Sequence, residues 1–397
     1  MLPMYDQHKI ISILVLLLTL LLVAPARGQD HREPARLSFW VVGGGDESAI
    51  RFGTDNVNKA LADERRDTEP ILLGIAERPL SADAIAAGTK LSRARVLGLL
   101  ARLQALHLVK EDDKARWATT VPVITDEQMK RIRESLTPMA RDVARKVAVN
   151  APALMALYQS VKSTTDPAWQ DIAHLVIDKF LVDGSLLGAI QRLELERGVH
   201  QRYYNHDQDI IPAFFLERGE HFSTFGANEY DFQNGSEQRQ VYVLHGAVLK
   251  RYDIRMNAHR SDPVLSAALF RLTPAGGTES LTGNETETLR ALGWIENNHL
   301  LVPVIQAKTV KALMPLVEKI GADAGNVVLD EHSGIIKAFD RSPYSRFQHS
   351  GGDYIQACYH VLFDLVLEQL AATGVLSAFP RPAPEHFGVY IILGGLS

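Results

Sequence analysis

The chain has 397 residues, with 42 lysines and arginines against 47 aspartates and glutamates, a formal net charge of −5. This mildly acidic balance excludes a protein drawn over its whole surface to nucleic acid or anionic lipid. The single cysteine, Cys358, excludes an internal disulfide, and the length allows two or three domains held by apolar cores alone.

The first 28 residues follow the order of a secretory signal peptide. Met1 to Lys9 is polar, Ile10 to Ala24 is an apolar run with a few hydroxyls, and Ala24-Pro25-Ala26-Arg27-Gly28 supplies small residues for a signal peptidase. Fifteen helical residues span about 22 Å, short of a hydrocarbon core of roughly 30 Å. Cleavage after Ala26 or Gly28 is therefore expected, with an extracytoplasmic (periplasmic or secreted) body. The alternative is an uncleaved inner-membrane anchor. Arg27, Arg32 and Arg36 flank the body side of the run, and the positive-inside bias would then keep the body in the cytoplasm. No lipidation cysteine follows the run. Without the leader, 40 basic and 46 acidic residues remain, a net charge of about −6.

Beyond the leader, Thr68 and Pro70 are predicted to open a helix, with Thr68 as its cap. Ser81 is read as the cap of a short helix over Ala82 to Ala87, which Gly88 ends. Ser92 is read as the cap of the next helix, in which Val96, Leu99, Leu100, Leu103 and Leu106 recur at helical spacing. Polar Glu111 to Lys114 then forms a turn, and Trp117 to Ile124 alternates as a strand. Helix, short helix, helix and hairpin is the order of a winged helix-turn-helix.

The pattern recurs. Leu103 to Asp112 is matched by Leu289 to Asn298, and Val121-Pro-Val-Ile124 by Val302-Pro-Val-Ile305. Helices containing Lys130 and Lys311 follow. Ile172-Ala-His174-Leu-Val-Ile-Asp178 is then echoed by Cys358-Tyr-His360-Val-Leu-Phe-Asp364. The first and last matches share an offset of 186 residues, and the middle one differs by five, which a shorter hairpin in the second copy explains. Such a period indicates a duplicated domain rather than a solenoid. Further helices are predicted over Asp126 to Lys146, Ala151 to Ser160, Ala168 to Leu195, Ala307 to Ile320 and Tyr354 to Thr373. Aromatic residues gather over 208 to 256, with Asn234-Gly235 and His245-Gly246 read as hairpin turns. Leu37 to Val42 and Phe387 to Leu393 are read as terminal strands that join them.

The expected fold class is mainly α with small β elements (α+β), internally duplicated. The boundaries are a leader at 1–28, a first winged-helix plus helical unit at 37–200, a β-rich insert at 201–258 and a degraded second unit at 259–397.

The stretch Leu91 to Val109, within Ser81 to Ile124, resembles the recognition helix and following strand of winged-helix repressors of the arsenic-repressor and multiple-antibiotic-resistance-repressor types. That resemblance implies major-groove reading by the exposed start of the helix, here Ser92, Arg93 and Arg95, with Arg102 available to phosphates. Residues 51 to 150 hold 18 basic and 14 acidic side chains, a local excess of +4. The second copy carries Glu279, Glu285 and Glu287 instead, which would repel DNA, and an exported protein meets no promoter.

His174 with Asp178, and His360 with Asp364, lie four apart, which puts each pair on one helix face. They read as paired structural polar residues, or as half-sites for a ligand or metal that lacks a third donor at recognisable spacing. His200, His206, Asp207 and Asp209 form a polar loop without calcium-loop spacing. Gly43-Gly44-Gly45 lacks the residues of a phosphate-binding loop, and no common hydrolase signature is present. Cys358 falls among apolar helix residues and reads as inert core.

No catalytic residue, metal or cofactor is expected. The leading expectation is an exported, non-enzymatic protein with tandem winged-helix-like domains that binds a protein or small-molecule partner. The alternatives are a membrane-tethered or cytoplasmic DNA-binding regulator, and a hydrolase or metal-binding protein using the His/Asp pairs.

Overall fold

A computed structural model describes residues 36–41, 54–196, 213–222, 225–246, 262–273, 277–342, 345, 350–378 and 386–396. The leader, the Gly43 to Gly45 run and the loop with His200, His206, Asp207 and Asp209 lie outside them. From Arg36 onward the chain is one compact unit. Its fold is mainly α with small sheets, as the residue pattern predicts.

Strand β1 (Leu37–Val41) leads to helix α1 (Thr54–Ile75). Helix α1 breaks at Glu64, whose backbone is non-helical, and continues through Pro70. Thr68 is therefore no cap. It lies inside the helix, and its hydroxyl donates back to the Glu64 carbonyl at 3.0 Å. Strand β2 (Leu80–Ser81), helix α2 (Ala82–Thr89) and helix α3 (Arg93–Ala105) follow. Ser81 and Ser92 cap these helices as predicted, each hydroxyl accepting a backbone N–H at 3.2 Å. Gly88 does not end α2. Its position stays helical, and Lys90 takes the left-handed turn with φ 61°.

The wing comprises β3 (Val109–Glu111) and β4 (Arg116–Thr119), in a sheet of order β2-β4-β3. The predicted strand to Ile124 is broken after Thr119. Strand β5 (Val123–Ile124) leaves the wing and pairs in parallel with β6 (Ala213–Glu217), which pairs antiparallel with β1.

Helix α4 (Asp126–Val161) is opened by a Thr125–Gln128 capping box and runs through Pro138 and Pro152, so the two predicted segments are one helix. Next come α5 (Trp169–His174), a π-helical stretch (Leu175–Leu186) and α6 (Leu187–Glu196).

The predicted hairpin is β7 (Phe225–Asn234) and β8 (Glu237–Gly246). Asn234 pairs with Glu237, so the turn is Gly235-Ser236, one residue beyond expectation, with Gly235 at φ +60°. His245-Gly246 makes no turn. It ends β8, paired to Gly226 and Phe225.

The second unit has two helices before its hairpin among the described residues, where the first has three: α7 (Pro263–Arg271), α8 (Gly283–Ala291), and then the short strands β9 (Ile295–Glu296) and β10 (His299–Leu300). Strand β11 (Val304–Gln306), α9 (Ala307–Glu331), α10 (Ser333–Asp340), α11 (Ser350–Ala372) and β12 (Val389–Leu393) complete it. Strand β11 pairs in parallel with β12, which pairs antiparallel with β8 in a sheet of order β11-β12-β8-β7. The strands of 201–258 are thus divided between two sheets, each completed by a terminal strand.

The residues that recur along the chain make matching backbone bonds. Leu108 N–H bonds to Leu103 O as Trp294 N–H bonds to Leu289 O, both at 2.9 Å, beside left-handed His107 and Gly293. The wing closes by Thr120 to Leu108 in one copy and by Leu301 to Trp294 in the other, which shortens the second hairpin by five residues. Val123 faces Phe215 as Val304 faces Ile391. Along the long helices, Met129, Ile132, Leu136, Met139, Val143 and Val147 are buried, as are their counterparts Val310, Leu313, Val317, Ile320, Ala324 and Val328.

These helices share one core with the π-helical stretch and α11. Gly321 and Gly325 of α9 admit close approach. A Cβ at Gly321 would lie 2.6 Å from the Ser185 Cβ, and one at Gly325 would lie 2.9 Å from the Ala189 Cβ. No described helix is long and apolar enough to cross a membrane.

Candidate functional site

Two places carry the chemistry expected from the residues. The first is the exposed start of α3. Arg93 meets Asp83 at 2.8 Å, and Arg95 meets Asp67 through two hydrogen bonds (2.9 and 2.7 Å) and Glu64 at 3.2 Å. Arg102 meets the other oxygen of Glu64 at 2.5 Å. Ser92 serves as the helix cap. Each exposed pair is worth only about 0–1 kcal/mol and could open. What matters is the balance: three guanidinium groups share a face with three carboxylates, so the face offers phosphate little net attraction.

In the second unit Glu285 is buried, closes the capping box of Thr282 and meets Arg271 at 3.1 Å. Its role there is local structure. Glu287 pairs with Arg290. On the outer face of the first wing, an open cleft of about 600 Å³ is lined by Arg78, Leu80, Lys110, Asp112, Arg116 and neighbouring residues. Asp112 is held below its ordinary carboxylate value, chiefly by hydrogen bonding from Arg116.

The second place is the pair of histidines. His174 ends α5 and Asp178 lies in the π-helical stretch that follows. His174 Nδ1 is 2.7 Å from Asp178 Oδ2, and both side chains are buried. On the other side of the ring, Nε2 is 3.0 Å from Ser377 Oγ. Ser377 is exposed and comes from the far end of the chain. Gly374, at φ +75°, closes α11 in a left-handed turn in which Val375 and Leu376 both bond to Leu370 O. That reversal brings the Ser377 hydroxyl to the Nε2 edge of His174. Phe387 meets the same ring edge-on, with centroids 5.6 Å apart.

The second pair is made differently. His360 Nδ1 bonds to the Phe225 carbonyl at 2.5 Å, and Asp364 binds Arg133 of α4 at 3.3 Å. Burial holds His360 below the ordinary imidazole value, so the neutral ring donates from Nδ1. The repeat in residues is therefore not a repeat in bonding: Asp364 of α11 is taken by Arg133 of α4, whereas Asp178 stays with its own His174, whose ring meets Ser377. Each histidine nevertheless meets a phenylalanine from outside its own unit: His174 meets Phe387 of the second unit, and His360 meets Phe214 of β6 in the insert.

Ser377 escapes sequence reasoning because it is 203 residues from His174 and sits in no motif. Cys358 is buried in α11, its thiol pushed up to about 12 by burial. Among the described residues no three His, Cys, Asp or Glu side chains converge as a metal site.

Comparison with protein-family models, with curated proteins and with solved structures finds no match to this chain.

Proposed function

We propose that the protein is an exported binding protein, a covalent pseudo-dimer of winged-helix-like units that engages a protein or small-molecule partner rather than DNA. The observation that carries this reading is the closure of Arg93, Arg95 and Arg102 onto Asp83, Asp67 and Glu64. A recognition helix that reads DNA needs its cations available to phosphates and bases, with no carboxylates standing among them. The wing tip, with Glu111, Asp112 and Asp113 around Lys114, adds to the mismatch. The cleft lined by Arg78, Lys110 and Arg116 is a concave feature suited to an acidic ligand. The apolar leader supports export.

The test is fluorescence anisotropy of labelled duplex DNA with the purified chain, titrated with salt. Binding should stay negligible and flat. Tight binding that falls steeply with salt and is lost on Arg95→Ala would overturn the reading in favour of a DNA-binding regulator. Cell fractionation with N-terminal sequencing tests export, and recovery of the intact chain in the cytoplasm would remove that part.

A further inference from the structure

We propose that Ser377 is the nucleophile of an acyl-transfer site that hydrolyses esters of short apolar carboxylic acids, with His174 as its general base and Asp178 positioning the ring. This goes beyond the binding reading and does not rest on it.

Three observations converge. Oγ, Nε2, Nδ1 and Oδ2 stand in series at 3.0 and 2.7 Å, within the reach that a nucleophile, its base and the base's orienting group require. The accessibility is graded as the chemistry needs: Asp178 is 0% exposed, His174 3%, and Ser377 is exposed to an incoming substrate. The carboxylate and the turns beside it are π-helical over Leu175–Leu186, a backbone geometry that is rare and concentrated at functional sites.

Asp178 Oδ2 takes the Nδ1–H, and Nε2 lies against Ser377, whose hydroxyl is 3.0 Å away and whose backbone also bonds the ring; in the neutral ring Nε2 carries the lone pair that takes the hydroxyl proton. The site lies at the surface with the Phe387 ring beside His174, so it suits a short acyl group rather than an extended chain.

The step balances within these residues and water. Ser377 Oγ bonds to the ester carbonyl carbon as its proton passes to His174 Nε2. The bond from that carbon to the alcohol oxygen then breaks, and His174 returns the proton to the departing alkoxide. Water, deprotonated by the same nitrogen, attacks the acyl-serine, so that the acid is released and the Ser377 hydroxyl is restored.

The experiment uses the full chain with a fluorophosphonate probe and with p-nitrophenyl acetate, followed by peptide mapping of the labelled residue. One probe should attach per chain, at Ser377. Ser377→Ala, an exposed change that leaves the core intact, should abolish both labelling and ester turnover. His174→Gln should slow labelling by about 10²- to 10⁴-fold. Asp178→Asn should shift the pH profile of labelling as well as its rate, which a purely structural role would not do. The proposal is overturned if Ser377 stays unlabelled in the folded wild-type chain. It is also overturned if the Ser377→Ala protein, with an unchanged melting temperature, turns over the ester at the wild-type rate.

Discussion

Asp166, in the loop that follows α4, caps the long helix of the other unit by bonding to Thr309. Its Oδ2 accepts from the Thr309 hydroxyl at 2.7 Å, and its Oδ1 accepts from the Gln306 N–H at 3.1 Å. The same carboxylate takes the Ser163 N–H at 2.8 Å. The first unit thus supplies the N-terminal partner that the second unit's own Gln306 does not provide.

Asp166→Ala should lower unfolding free energy by about 1–3 kcal/mol, since a cap and a buried acceptor are lost together. Urea unfolding measures it. An unchanged midpoint would mean that solvent replaces the carboxylate at no cost.

The close crossing of α9 over the π-helical stretch predicts a contrast between two glycines. Gly321→Ala should destabilise by about 1–3 kcal/mol, because its new methyl collides with Ser185 and the Leu186 backbone. Gly98→Ala, in α3 with nothing within 4 Å of the added Cβ, should stabilise by about 0.5–1 kcal/mol. Thermal unfolding of the two variants should move in opposite directions.

Much of this architecture is legible in the residues. The Ser81 and Ser92 caps, the apolar spacing of α3 and the Val-Pro-Val-Ile repeat lead to the right elements, because these signals are local. The misplacements arise where tertiary contacts decide. The break expected between Lys146 and Ala151 does not divide α4, whose buried face binds it to α9 and α11. The His360–Asp364 spacing carries no information about the Phe225 carbonyl, which is 135 residues away. Ser377 joins His174 only through the fold of the second unit onto the first.

The His174 site predicts a pH dependence. Burial, the largest influence, lowers the His174 pKa, but the charge and hydrogen bond of Asp178, with the Ser377 backbone, hold it above the ordinary imidazole value. Complete burial holds Asp178 above its ordinary range against the pull of His174. Tyr390 is the neighbouring hydroxyl, and burial keeps it protonated. A histidine raised in the folded state contributes stability that is full below its unfolded value, about 6.5, and is lost as pH rises through the folded value. The urea midpoint should therefore fall above pH of about 6.5, and His174→Gln should flatten that fall. Identical slopes in the two proteins would remove the linkage.

Cys358, with its thiol near 12 and no exposure to reagent, should not react with a disulfide reagent in the folded chain. One thiol per chain should titrate after denaturation, as the single cysteine requires. Rapid reaction under native conditions would place α11 differently.

The shared interior has an evolutionary consequence. A homodimer encoded by a single short gene must show the same face twice, and any substitution is felt in both. Here the two faces descend separately within one polypeptide. One can keep its arginines while the other turns acidic, and a serine at one end can meet a histidine whose counterpart has taken up another task. Fixed one-to-one stoichiometry is retained throughout, at any dilution.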